Sequence, residues 1–531
     1  MPNIVNWKKG DTILNPLDAY LKDLRDIRGT GAAVAETSYY PALSNLFNEL
    51  GKTLKPKVRC VINIANRGAG LPDGGMFTAD QIKKNDPNPM QGQPPARGVL
   101  EVKGPADELR KIAKSEQVKR YSAKYGVVLV TNYRDFLLLG RDTQGNLLPM
   151  EAYTLAETEA AFWQAANHPQ KTATEHGERF CEYLKRVMLS VAPLLAPQDL
   201  AWFMASYARD AKARVESHKD LSVLAAVREA LEEALGMKFT GDKGEHFFRS
   251  TLIQTIFYGV FSAWVLWHRQ RPERTDIFNW HESAFSLRVP FIRALYEQVA
   301  TPSKLGDLGL MEVLDWTTGA LNRVDRAAFF QKFQGEHAVQ YFYEPFLEAF
   351  DPELRKELGI WFTPPEIVQY QVARVDTILR EELDLADGLA DPNVVLLDPC
   401  CGTGAYLMEV LKKIAETLKD KGGDALIASD LKKAALTRVF GFEILPAPFV
   451  VSHLQLGLML HDLGAPLSAT KNERVGVYLT NALTGWEPPK EPKQTVLGFM
   501  EELQQEKDAA EHVNPTSAAR SVDLLILKNL R

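Results

Sequence analysis

The chain has 531 residues, 45% of them hydrophobic and 24% charged, which is too long for one ordinary core and too apolar for a disordered chain, so two or three globular domains are expected. Its 62 basic and 68 acidic residues leave a net charge of −6, so no global basic excess announces a nucleic-acid partner and any contact with DNA has to be local. The four cysteines form no CxxC pair and no zinc-spaced cluster, which argues against a disulfide framework and fits a cytoplasmic protein with free thiols.

The opening MPNIVNWKKG lacks the apolar run of a signal peptide, and residues 1–30 read as an N-terminal arm. From Glu36 to Gly140 the chain reads as a helix (SYYPALSNLFNELG), two strand-like runs (VRCVINIA, GVLEVKG), a helix (EQVKRYSAKY) and two further strands, an α/β domain over 31–155. The Pro/Gly/Asn-rich piece 83–98 between two of these strands reads as the exposed loop of a hairpin-like connection. Long 3.6-residue periodicities fill 156–345, a helical connector. Within it only TLIQTIFYGVFSAWVLW approaches membrane length, and its Gln254, its hydroxyl residues and the His268-Arg269 pair that follows mark a buried helix, with no membrane partner implied. From 346 to 531 strands and helices alternate (NVVLLD, RVFGFEI, VGVYLT), the pattern of a doubly wound sheet. The fold class is therefore α/β multidomain.

Two groups of residues carry chemistry. Asp73 stands at a strand edge, and Glu101 and Lys103, two apart on the next strand, share a face with Val102 turned inward. Asp73 and Glu101 suit a hard cation such as Mg²⁺, and Lys103 suits a water nucleophile; the same groups would also serve as surface ion pairs. The order PD, ExK resembles the PD-(D/E)xK nucleases. That resemblance implies Asp73, Glu101 and Lys103 as catalytic residues, Glu36 on the preceding helix as a third metal ligand beside Asp73 and Glu101, and Gln117 with Tyr121 as the QxxxY element. The basic stretch LRKIAKSEQVKRYSAK nearby would meet phosphates or simply be solvated.

The second group is LLDPCCGTG, a buried strand ending at Asp398 and a turn with Gly402 and Gly404, where α/β sheets hold nucleotide-like ligands. Its spacing is not the GxGxxG of a dinucleotide site, which leaves a dehydrogenase as the weaker reading. Cys400 and Cys401 read as small packing residues of the turn. The series of WFTPPE, this turn and a strand-end Glu443 resembles the adenine-N6 DNA methyltransferases whose glycine-rich motif comes first. The resemblance implies an S-adenosylmethionine site made by Phe362, Thr363, Pro364, Asp398, Pro399, Gly402, Thr403 and Gly404, with Glu443 on the ribose and Asn481 on the adenine. With its flanks, the chain looks like the fused restriction–modification enzymes of types IIG and ISP, which act on double-stranded DNA. A GxxxxGK[ST] phosphate loop is missing from the sequence, so the type IIG layout fits better.

Adenine methylation in that family uses a [DNS]PP[YFW] loop, and QPPA, TPPE and EPPK do not qualify. SVDLLILKNLR reads as the strand before such a loop, so the expectation is a chain cut short of it, with the loop and a recognition domain supplied by further residues or a partner subunit. The alternative is a catalytically silent scaffold that binds S-adenosylmethionine within a DNA-defence complex.

Overall fold

The computed structural model describes residues 15–34, 36–65, 69–82, 93–141, 145–218, 224–235, 238–270, 276–282, 302–333, 342–357, 363–422, 427–468, 471, 473–482 and 524–526. The chain divides into two compact units, Met1–Pro193 and Leu194–Arg531.

The first unit opens with α1 (Pro16–Gly29), whose proline starts the helix and whose Asn15 side chain accepts the Leu17 N–H. Leu17, Tyr20, Leu21 and Leu24 recur at helical spacing and are buried, so residues read as an arm form a core helix. After α2 (Tyr40–Thr53) comes a six-stranded sheet in chain order: β1 (Val58–Ile62), β2 (Gly74–Thr78), β3 (Val99–Val102), β4 (Val128–Thr131), β5 (Asp135–Arg141) and β6 (Leu147–Thr154). All neighbours are antiparallel except β3 and β4, whose parallel pairing demands a crossover, made by α3 (Leu109–Ala113) and α4 (Glu116–Tyr125). Val118, Tyr121 and Tyr125 of α4 pack on Val99, Val128 and Val130.

Two strands escaped the sequence reading. β2 is GGMFT, fully buried and without alternation, and β6 carries Pro149. α5 (Glu159–Asn167) and α6 (Pro169–Leu189) pack against α1, with α6 also on α2 and β6, inside the first unit. Nothing in their periodicity distinguishes a helix that covers this sheet from one that follows it.

The second unit begins with α7 (Pro197–Ser217), α8 (Ala225–Leu235) and α9 (Gly241–Gln270), followed by α10 (Pro302–Asp307), α11 (Met311–Asn322), α12 (Arg326–Lys332), α13 (Glu344–Phe350) and α14 (Pro352–Glu357). Among the described residues α9 is the one helix long and apolar enough to cross a membrane, and 94% of its most apolar window is buried within the protein. Helices apolar all round belong in protein cores as well as in lipid. The helical pattern SAFSLRVPFIRALYEQVA lies outside the described residues.

Next come α15 (Pro365–Glu381), β7 (Val395–Asp398), α16 (Ala405–Asp420), α17 (Ile427–Thr437), β8 (Val439–Glu443), α18 (Pro446–Asp462), β9 (Gly476–Leu479) and β10 (Leu524–Ile526). The sheet is parallel in the order β10–β7–β8–β9, so the strand order runs outward from β7 through β8 to β9 and then reverses to place β10 on the other side of β7. Such a switch point opens a crevice beyond the carboxyl ends of the strands. α9 packs on α7 and on α18, which joins the helical layer to this sheet.

Asp351, buried between α13 and α14, locks three elements together. It accepts hydrogen bonds from Lys212 Nζ of α7 at 2.7 Å, Ser250 Oγ of α9 at 2.6 Å and the Leu354 N–H at 3.0 Å. Burial by itself would raise its pKa, but the Lys212 ammonium and these donors hold the carboxyl below its ordinary range. Asp351→Ala leaves the largely buried Lys212 ammonium without a counter-charge and is expected to cost about 3 kcal/mol, measured by urea unfolding of the full chain.

Candidate functional site

The first candidate site gathers four charged groups. Asp73 immediately precedes β2, Glu101 lies on β3, Lys103 follows that strand, and Glu36 stands just before the short 3-10 turn that leads into α2, one step ahead of the helix on which the sequence placed it. Lys103 Nζ is 2.7 Å from Glu101, 3.8 Å from Glu36 and 4.0 Å from Asp73, and it donates to the Val102 carbonyl at 2.8 Å. The three carboxylates therefore converge, but around an ammonium. No trio of His, Cys, Asp or Glu among the described residues is spaced to hold a metal ion. The donor set fits Mg²⁺ by chemistry, being hard carboxylate oxygens, and a divalent ion here would compete with Lys103 for the same oxygens.

Each acid is held from a second direction. Asp73 accepts the Val102 N–H at 2.7 Å and the Tyr40 hydroxyl at 2.8 Å, and Tyr40 also lies 3.2 Å from Glu36. Gln117 Nε2 donates to Glu101 at 3.2 Å and lies 2.9 Å from the Tyr121 hydroxyl, so the pair four apart on α4 does share one face. Burial raises the pKa of Tyr40 and of Tyr133, whose hydroxyl donates to the Glu36 carbonyl, so both stay protonated donors. Neither tyrosine was singled out from the sequence, where Tyr40 is 33 residues from Asp73 and no local spacing links them.

Glu101 is only 1% exposed, and burial pushes its pKa from 4.5 up to about 6 against the pull of Lys103. For Lys103, burial works to lower the pKa, but the hydrogen bond and charge of Glu101, with Asp73 and Glu36, carry it above the ordinary range. The ammonium is thus held charged inside an acidic pocket.

The second candidate site lies at the carboxyl ends of β7, β8 and β9. Asp398 is fully buried at the end of β7 and accepts the Cys400 N–H at 3.1 Å. The turn after Pro399 passes through Gly402 (φ +60°) and Gly404 (φ +90°), left-handed backbone that L-residues resist. At Gly404, the N-cap of α16, a Cβ would also stand 3.2 Å from Ser452 Cβ of α18, whereas one at Gly402 would meet nothing within 4 Å, leaving that side open for a ligand.

Glu443, ending β8, accepts the Gly402 N–H and the Leu445 N–H, each at 2.8 Å, so the carboxylate expected to be free for ribose braces the turn. Each oxygen keeps a further lone pair, so bracing and ligand binding are compatible. Gln455 of α18 donates to the Thr403 carbonyl at 2.8 Å, and the Cys401 N–H donates to the Phe442 carbonyl at 2.8 Å. Asn481 follows β9 by two residues, next to Thr480, whose N–H bonds the Glu443 carbonyl at 2.9 Å.

Thr363 and Pro364 precede α15, and the Thr363 side chain hydrogen-bonds Tyr406, which also donates to Gln371 of α15. This links the TP segment to the helix that follows the glycine turn, through Tyr406 and Gln371, neither of which a motif would flag. Phe362 lies outside the described residues. Of the two cysteines read as packing residues, Cys401 is buried against Gly441 but Cys400 is exposed, because it sits on the outer side of the turn.

Residues 334–481, which include the second site, match the profile of the family described as N-6 DNA Methylase, a family that implies S-adenosylmethionine as cofactor. No curated protein matches the chain. Among solved structures, the DrdV–DNA complex is 17% identical with a TM-score of 0.40 over 94% of this chain and 42% of that one. An ATP-dependent type ISP restriction–modification enzyme, LlaBIII bound to DNA, is 14% identical with a TM-score of 0.38 over 66% of this chain and 21% of that one. The type IIG restriction endonuclease BpuSI is 11% identical with a TM-score of 0.21 over 83% and 42%. The chain spans less than half the length of each of these structures.

The raised pKa of Glu101 makes a stability prediction for the metal-free protein. The folded state protonates at about 6 and the unfolded chain near 4.5, so the folded state binds more protons in that window. The associated stability is fully present below 4.5 and is lost as pH rises through about 6. Glu101→Gln should flatten this slope, read from chemical unfolding across that range.

Proposed function

We propose that the chain is the nuclease, connector and cofactor-binding portion of a DNA restriction–modification or phage-defence enzyme. It joins a Mg²⁺-dependent DNA endonuclease over 31–155 to an S-adenosylmethionine-dependent, adenine-specific N6 DNA methyltransferase over 346–531. The observation that carries this reading is the Glu443 carboxylate bound to the Gly402 N–H at the ends of adjacent buried strands, within the segment that matches the N-6 DNA Methylase family.

Bound there, S-adenosylmethionine would supply an electrophilic methyl group. Asp398, Pro399, Gly402, Thr403 and Gly404 would hold its amino-acid end together with Phe362, Thr363 and Pro364. Glu443 would accept the ribose hydroxyls, and Asn481 would meet the adenine. In the other site Glu36, Asp73 and Glu101 would hold Mg²⁺. Lys103, released from Glu101, would orient water toward a phosphodiester of duplex DNA, with Gln117 keeping Glu101 in place. The sequence contains no [DNS]PP[YFW] motif. On this reading methyl transfer uses such a loop and a recognition domain supplied by residues outside this sequence or by a partner subunit. The ammonium set among the carboxylates favours one other reading, a silent scaffold that binds the cofactor and cuts nothing.

Calorimetry with S-adenosylmethionine and a plasmid-nicking assay with Mg²⁺ test both halves. Wild type should bind the cofactor, and Asp398→Ala, which loses a buried charge-assisted bond to the turn, should bind about 10-fold more weakly or worse. Lys103→Ala should bind the cofactor normally and cut at least about 100-fold more slowly. Absence of any Mg²⁺-dependent cleavage by wild type would favour the scaffold, and equal binding of NAD and S-adenosylmethionine would defeat the methyltransferase reading.

A further inference from the structure

Helix α4 carries more than the Gln117 and Tyr121 pair. The stretch LRKIAKSEQVKRYSAK has six basic residues against one acid, in a chain whose net charge is −6. Within α4 the three cations are not equivalent. Lys119 is paired with Glu116 at 2.7 Å, both exposed, and lies two positions from Gln117, on the far side of the helix. Arg120 and Lys124 lie three and seven positions after Gln117, on its side. Both are exposed, and among the described residues neither has a carboxylate oxygen within 4.0 Å, although Arg120 still feels the charge of Glu116 one turn before it.

The buried side of α4 is set by Val118, Tyr121, Ser122 and Tyr125. Gln117 stands at the border of that side, where it reaches Glu101, and Arg120 and Lys124 continue the same border into solvent. Two unpaired cations thus line the helix edge beside the acidic cradle, along about 10 Å of helix from 117 to 124. An ion pair with an acidic neighbour would have been the ordinary fate of such groups, as it is for Lys119, Lys111 and Lys52. A polyanion crossing the cradle would meet these cations without first breaking a salt bridge.

We infer that the Arg120–Lys124 edge of α4 grips the phosphate backbone of duplex DNA lying across the Asp73–Glu101–Lys103 cradle. The inference rests on the nuclease reading for its choice of ligand. It makes this edge a sequence-independent electrostatic contact, because both cations project from a helix border and no base-reading group stands between them.

Counterion release supplies the test. Binding of the full chain to a fluorescein-labelled DNA duplex is followed by anisotropy across a salt series in EDTA, so that no strand is cut. Each phosphate contact contributes about 0.9 to the slope of log K against log salt, so Arg120→Gln/Lys124→Gln should flatten the slope by nearly 2. Lys119→Gln should leave it unchanged. Because all three side chains are exposed, thermal melts of the variants should superimpose on wild type, and a single Lys124→Gln variant, with half the effect, serves if the double variant does not fold. An unchanged slope in the double variant overturns the inference, as does an equal loss in Lys119→Gln or a loss seen only with an RNA duplex. Failure of the nuclease reading is separate: wild type would then show the DNA slope and its loss in the variant but no Mg²⁺-dependent nicking.

Discussion

The constraint on which both sites depend is that a carboxylate at the end of a buried strand must be given hydrogen-bond donors, or its charge is untenable there. Three of the acids meet it with main-chain N–H groups. Asp73 takes the N–H of Val102, Asp398 that of Cys400, and Glu443 those of Gly402 and Leu445. In each case the donor belongs to the next strand or the turn, so satisfying the charge also fixes the backbone that surrounds it. Glu101 differs. Its partners are the side chains of Lys103 and Gln117, and burial outweighs them and pushes its pKa up.

That difference divides the sites by rigidity. The glycine turn is pinned by the main chain of β8, by Gln455 and by the packing of Gly404 on Ser452. A ligand entering there finds its contacts already in place, which lowers the ordering cost of binding. In the cradle the central cation is a lysine, 30% exposed, held by three carboxylates and the Val102 carbonyl. An ammonium on a four-carbon stem leaves and returns without moving the backbone, whereas the fixed Asp73 and its Tyr40 partner keep the shape of the pocket.

What could be read from the sequence followed from local period and spacing. Glu101 on a strand with Lys103 just past its end, Gln117 and Tyr121 four apart on a helix, and a glycine turn between NVVLLD and a helix follow from local spacing. What escaped depended on tertiary context. GGMFT is a strand only because β1 and β3 flank it, and its two glycines hide the pattern that a solvent-facing strand would show. The apolar stripe of α1 is visible in the sequence but not the partners that bury it, and α6 carries no mark of which unit it covers. Tyr40, Tyr133 and Tyr406 reach their partners across 33, 97 and 35 residues, distances at which no single-sequence spacing has meaning.

The bracing role of Glu443 alters how that residue should be understood. A carboxylate that only met a ribose would be dispensable to the fold, and a glutamine would replace it at the loss of one acceptor. Here both oxygens already accept main-chain N–H groups, one from the turn and one from the start of α18. A glutamine would present an NH₂ group to one of those N–H donors, setting donor against donor in a buried place, which costs more than the missing bond. The same carboxylate therefore shapes the open side at Gly402 and offers the remaining lone pairs to whatever enters it. Binding determinant and turn brace are one group, so the two roles cannot be separated by substitution at 443 alone. Gln455 and Tyr406, which support neighbouring parts of the same turn and helix from outside, are where the brace can be weakened without removing the acceptor.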